Sequence, residues 1–164
     1  MAKVTRWINK IFSNFLIFLM ASMVLVVSWQ VFTRFVMHNP SSYTEELARF
    51  LLIWIGLLGA GYALHTRAHL GIDVLTYKLT GVKRQIVEIG VHSLIILFAF
   101  FVMILGGFRL VDLTFKLNQI SAAMGIKMGY IYSVIPLSGL LIIFNSVDFI
   151  IKIVKKNPFG NLLN

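Results

Sequence analysis

The chain has no cysteine and only six acidic residues in 164 positions. Without a thiol there can be no disulfide, no thiolate metal site and no cysteine nucleophile. No nucleophile–base set and no phosphate-binding loop occurs either, which argues against an enzyme. Acids are so scarce that two placed side by side, Glu45 and Glu46, need a physical reason.

What the chain has in quantity is apolar sequence. Hydrophobic residues make up 59% and charged residues 13%, with a mean hydropathy of +0.87, well outside the range of an ordinary soluble domain. A helix needs roughly 20 apolar residues to cross a hydrocarbon core, and four stretches qualify: 11–33, 47–65, 86–108 and 128–151. The expectation is an all-α integral membrane protein forming a single membrane domain over 1–164. Lys3, Arg6 and Lys10 before the first stretch would also suit a signal peptide. The stretch is too long for that, because a signal core spans about 7–15 residues.

The cations give the orientation. Lys3, Arg6 and Lys10 precede the first span, Arg67, Lys78, Lys83 and Arg84 lie in the second loop, and Lys152, Lys155 and Lys156 follow the last span. Arg34, Arg49, Arg109, Lys116 and Lys127 fall on the other side. Positive loops stay in the cytoplasm, so both termini are expected there. The net charge of +9 is thereby accounted for without nucleic acid. In the second loop, Ile72, Leu75, Leu79 and Val82 recur at helical spacing, which predicts a short interfacial amphipathic helix over 70–82 among the lipids. Leu110, Leu113, Leu117 and Ile120 form a similar stripe opposite Asp112, Lys116 and Gln119, so the third helix should continue past the membrane.

Ser42 and Glu45 fit a capping box at the start of the second helix, where acids also suit the helix dipole. Arg49 follows Glu45 by four residues, the favourable order. An arginine a turn inside an apolar helix costs energy unless it is paired or reaches water. Arg34, Glu45, Glu46 and Arg49 are therefore expected to form one charge cluster at the outer interface, structural or contacting another subunit.

Deep polar residues are few: Gln30, Glu88, His92, Asn145 and Asp148. Glu88 lies between Arg84 and His92 at four-residue spacings, and Asp148 is followed by Lys152, so local pairing explains them. A transporter working alone would show interrupted helices and a polar site at mid-depth, and the only breaker at depth is Pro136. His65 and His69 have ligand-like spacing but no zinc motif, and only His92 is deep enough for haem, so no metal or cofactor is expected. Packing signals are more plentiful. Gly56 with Ala60, Gly59 with Ala63, and Gly129 with Ser133 are small-xxx-small pairs, and Trp29 and Trp54 add aromatic surface. Small faces can serve packing within the chain alone, but with no evident site beside them the protein reads as a partner of something larger.

One set of motifs points further. Arg34-Phe35 closes the first helix, Asn39-Pro40 follows, and Thr44-Glu45-Glu46-Leu47-Ala48-Arg49 opens the second. His69-Leu70-Gly71-Ile72-Asp73 comes after it, then Ala123-Met124-Gly125-Ile126 with Tyr132 and Pro136. In these the chain resembles the small membrane subunit, the DctQ-like component, of tripartite ATP-independent periplasmic (TRAP) transporters. Tyr43 stands where that family commonly has tryptophan, and Lys127 where it commonly has proline. The resemblance implies four spans in the bacterial inner membrane and a non-catalytic brace for a large multi-span subunit. It further implies that the large subunit carries the sodium and substrate sites, and that a periplasmic binding protein delivers an organic acid of the C4-dicarboxylate or sialic-acid type. It also makes the 34–49 cluster part of the periplasmic surface, and marks His69, Gly71 and Asp73 as a loop motif. The alternative, from another class, is the membrane anchor of an electron-transfer complex.

Overall fold

A computed structural model describes residues 2–38, 41–66 and 82–156. The helices are α1 (Ala2–Phe35), α2 (Ser42–His65), α3 (Val82–Phe98), a π-helical stretch (Ala99–Gly106), α4 (Gly107–Lys116), α5 (Met128–Tyr132) and α6 (Val134–Lys156). From α3 to α4 the helix is continuous. Among the described residues there is no strand, only an isolated bridge between Ile120 and Lys127. Four of these helical rods are long and apolar enough to cross a membrane, so the protein is all-α and multi-pass. The expected interfacial helix over 70–82 lies outside the described residues except for Val82, which opens α3.

The helices overrun the apolar stretches that announce them. α1 takes in the basic N-terminal segment, and α2 begins at Ser42 instead of 47. Backbone hydrogen bonding and caps end a helix; hydrophobicity does not. The cap of α2 is Ser41, in an extended conformation, whose hydroxyl accepts from the Thr44 N–H at 3.5 Å. This replaces the expected capping box of Ser42 and Glu45, because Ser42 is already the first helical residue. The fourth rod breaks at Ser133, between α5 and α6. Pro136 has no N–H to give to the Tyr132 carbonyl, and a proline is tolerated in the first turn that α6 thereby starts.

α2 lies between α1 and α6, and α6 packs on its other side against α3 and the π-helical stretch. Leu19, Leu58 and Val134 form one buried cluster, and Leu64, Ala99, Met103 and Ile142 form another. Helix association in hydrocarbon gains little from the hydrophobic effect and relies on close packing at small residues. Three glycines provide this closeness. A Cβ on Gly139 would sit 2.9 Å from Met103 Cβ, one on Gly107 2.9 Å from Pro136, and one on Gly61 2.8 Å from Leu141. Ile17, Phe18 and Leu25 on α1, and Leu94 and Leu97 on α3, stay exposed, as suits side chains that face lipid.

Candidate functional site

Glu46 accepts four hydrogen bonds, all from residues 121–124. It is in the first turns of α2, ahead of Leu47, where the apolar run begins. Its Oε2 accepts from the Ser121 hydroxyl at 2.6 Å and from the Ala123 and Met124 N–H groups at 2.9 Å each. Its Oε1 accepts from the Ala122 N–H at 3.1 Å. The turn 121–124 thus presents three successive N–H groups and a hydroxyl to one carboxylate, an anion nest filled from within. The Ser121 hydroxyl, opposed by partial desolvation and reinforced by the three N–H groups, holds the Glu46 carboxyl below the usual glutamate range. Hydrogen bonds to an ionised acceptor are the stronger kind.

This geometry divides the expected four-residue cluster. Glu45 pairs with Arg49 along the exposed side of α2. Glu46 turns away from both, to the segment between α4 and α5. Arg34, at the end of α1, is exposed and makes no ion pair with either acid among the described residues. The reason is that a carboxylate gains more from four converging donors than from a guanidinium that water already solvates. Two of the stretches that carry the family resemblance, 44–49 and 123–126, meet in space through Glu46. No local sequence pattern pairs Glu46 with residues 75 to 78 positions away; the turn-forming Ser121 and Gly125 were the available signal.

The clasped segment has its own internal structure. Ser121 N–H donates to Ile126 O at 2.9 Å, Gly125 N–H to Ser121 O at 3.1 Å, and Met128 N–H to Gln119 O at 2.9 Å. Asn118 and Gly125 flank its core with φ of 51° and 67°, the left-handed region that a short polar residue or glycine tolerates. On one side α4 continues the third rod as expected, but it buries Gly107 and Thr114 and leaves Leu110, Leu113 and Leu117 exposed. On the other, Phe115 packs edge-on to Tyr130 and covers Gly129. Trp54 Nε1 donates to Ile131 O at 3.2 Å, tying α2 to α5 beneath the clasp.

A second polar junction sits at the end where α1 begins and α6 finishes. Asn9 Nδ2 donates to Asn145 Oδ1 at 2.9 Å, and Asn145 Nδ2 returns a bond to Asn9 Oδ1 at 3.2 Å. Asn9 Nδ2 also donates to Thr5 O, and Asn145 Nδ2 to Gly61 O at 3.0 Å. Thr5 Oγ1 donates to Asp148, which holds Lys152 at 2.5 Å as the spacing implied. Asn9 and Asn145 are buried, and this junction joins α1, α2 and α6. Asn9 went unnoticed in the sequence because it precedes the first apolar run.

The small residues of α2 do not act together. Nothing lies within 4 Å of a Cβ placed on Gly56 or Gly59, so neither serves a close contact inside the chain; Gly61 does. Ala60 lines an open apolar groove of about 380 Å³ with Leu64, Leu94, Phe98 and Ile142, between α2 and α3. Ala63 is half-buried. Trp29 is 54% exposed with its ring 5.8 Å from that of Phe32, whereas Trp54 is engaged within the fold, also against Phe15. His92 is buried with its ring 4.1 Å from that of Phe149. His69, Gly71 and Asp73 lie outside the described residues. Among the described residues no group of three His, Cys, Asp or Glu could hold a metal ion.

The family model of tripartite ATP-independent periplasmic transporters, DctQ component, matches residues 23–156. The chain is 26% identical over 153 residues to the sialic acid TRAP transporter small permease protein SiaQ of Vibrio cholerae, covering 90% of this chain and 84% of that one. It is 28% identical over 105 residues to the C4-dicarboxylate TRAP transporter small permease protein DctQ of Rhodobacter capsulatus, covering 62% of this chain and 44% of that protein. It is also 27% identical over 119 residues to the sialic acid TRAP transporter permease protein SiaT of Haemophilus influenzae, covering 73% of this chain but 19% of that much longer one.

Proposed function

The chain belongs to the DctQ component family of tripartite ATP-independent periplasmic transporters, and from that membership we propose that it is a small permease subunit bracing a large transport subunit. The reading includes import of an organic acid of the sialic-acid or C4-dicarboxylate type, delivered by a periplasmic binding protein. The sodium and substrate sites belong to the large subunit, and this chain is non-catalytic and binds no cofactor. It lies in the bacterial inner membrane with both termini cytoplasmic. The Glu46 end then faces the periplasm.

The observation that carries this reading is the family match over 23–156, which takes in part or all of every apolar helix. The relative SiaT supports the large partner, since there the matching stretch occupies a minor share of a longer permease chain. Inside the fold, Gly56, Gly59 and exposed Ala60 offer α2 backbone to a neighbouring helix without using it internally, the kind of face on which membrane helices associate. The test is purification of the tagged protein from native membranes in mild detergent, with mass spectrometry of what remains bound. A stoichiometric multi-span permease is expected. Recovery alone, or with a soluble redox subunit, would overturn the reading.

A further inference from the structure

Segment 117–127 is braced by its own backbone bonds, by backbone bonds to α4 and α5 where it joins them, and across to α2 by a single side chain. The bonds within it, Ser121 to Ile126 and Gly125 to Ser121, and the bond from Met128 of α5 to Gln119 do not involve α2. Among the described residues, the hydrogen bonds from this segment to α2 all end on the Glu46 carboxylate. Left-handed backbone at Asn118 and at Gly125 supplies a turn at the edge of the segment and one within it. Ala122 and Ala123 are exposed, so water can take over their N–H groups if the carboxylate leaves.

We propose that Glu46 is a latch: with its carboxylate in the nest, segment 117–127 is fixed to the start of α2, and when the carboxylate is lost the segment detaches as one preformed unit while the four helices stay assembled. Detachment leaves its internal bonds intact, so the two states are distinct arrangements instead of a gradual loosening. Protonation weakens the latch, because a protonated oxygen accepts poorly and the three backbone N–H groups cannot take its proton; the Ser121 hydroxyl, which already accepts from the Met124 N–H at 3.2 Å, is the one group of the nest that could. The folded state favours the ionised form, so this contribution is present above the ordinary carboxylate value and is lost as pH falls through the lowered one.

The other titratable and charged groups at this end are Glu45 and Arg49, paired on α2, and Tyr43 beside them. α1 brings Arg34, and His38 follows it; α4 brings Arg109 and the Asp112–Lys116 pair; Lys127 and Tyr130 mark the start of α5. None of them occupies the nest, and Glu46→Gln separates their titration from that of the latch.

The absence of cysteine makes the test direct. Ala123→Cys in the full chain, reconstituted in liposomes and spin-labelled, reports the segment; Leu94→Cys on the lipid-facing side of α3 reports the bundle. The label at 123 is expected to be immobilised at neutral pH and to shift to a mobile spectrum as the pH is lowered through and below the usual carboxylate range, with the label at 94 unchanged. With Glu46→Gln added, the mobile spectrum should appear at every pH and the acid transition should vanish. An immobile label at 123 in the Glu46→Gln protein, or an acid transition that survives that substitution, would overturn the latch. Simultaneous mobilisation at 94 would also overturn it, by showing that the helices part together with the segment.

Discussion

The two ends of the molecule each join segments distant in sequence, and they do so with opposite chemistry. At the end where α1 begins and α6 finishes, Asn9 and Asn145 exchange neutral amide bonds in a buried site and draw in Gly61 O. At the other end, one carboxylate gathers a hydroxyl and three backbone N–H groups at the water's edge. Neutral amides can be buried without a counter-charge if both donors and acceptors are met. A carboxylate is affordable where partial solvation and several donors share its charge. The Asn9–Asn145 exchange should therefore set global stability with no proton of its own to lose, while the second junction should control one segment and respond to acid.

Asn145→Leu breaks this contrast most severely. It strips Asn9 Oδ1 and Gly61 O of a buried partner, and unfolding in detergent should show a loss of about 1–3 kcal/mol. Adding Asn9→Leu should recover part of that loss, since no orphaned amide remains; additive losses would show that the pair acts only by packing. Next comes Glu46→Gln, expected to lower the unfolding midpoint less than Asn145→Leu does and to expose amides 122–124 to hydrogen exchange. Protection lost across α6 as well would erase the distinction between the ends.

Glycine substitutions sharpen the comparison further. Gly61→Ala crowds Leu141, whose flexible tip can yield, so a cost of about 1 kcal/mol is expected, at the low end for overpacking. Gly56→Ala should leave the isolated chain as stable or firmer, by up to about 1 kcal/mol of helix propensity, yet lower the yield of large subunit recovered with it. Equal recovery would remove Gly56 from the proposed interface. Arg49→Leu should matter least: its pair with Glu45 is exposed, and such helical pairs contribute about 0.3–0.5 kcal/mol.

Some of this was legible without coordinates. Hydropathy located the four rods, and i,i+4 spacing located Asp148–Lys152 and Glu45–Arg49, because a helix places those positions side by side whatever surrounds it. The cap moved by one residue, from Ser42 to Ser41, since adjacent serines offer equivalent chemistry and the geometry of the incoming chain chooses between them. The joint cluster of Arg34, Glu45, Glu46 and Arg49 did not form as expected. Pairing acids with the nearest cations overlooked the backbone, whose N–H groups carry no signature in the side-chain sequence.

Composition and periodicity by themselves determined that this chain is an all-helical membrane protein, how many long apolar helices it has, and which local charges pair. Those properties follow from the length of apolar runs against the thickness of a bilayer and from the pitch of a single helix. The tertiary structure alone decided that Glu46 belongs to 121–124 and Asn9 to Asn145, that Gly61 and not Gly56 takes the close contact, and that Trp54 turns inward. Each of these depends on which helix lies beside which. Once inside the hydrocarbon every apolar face is nearly as good as another, so shape and a few polar atoms make that choice.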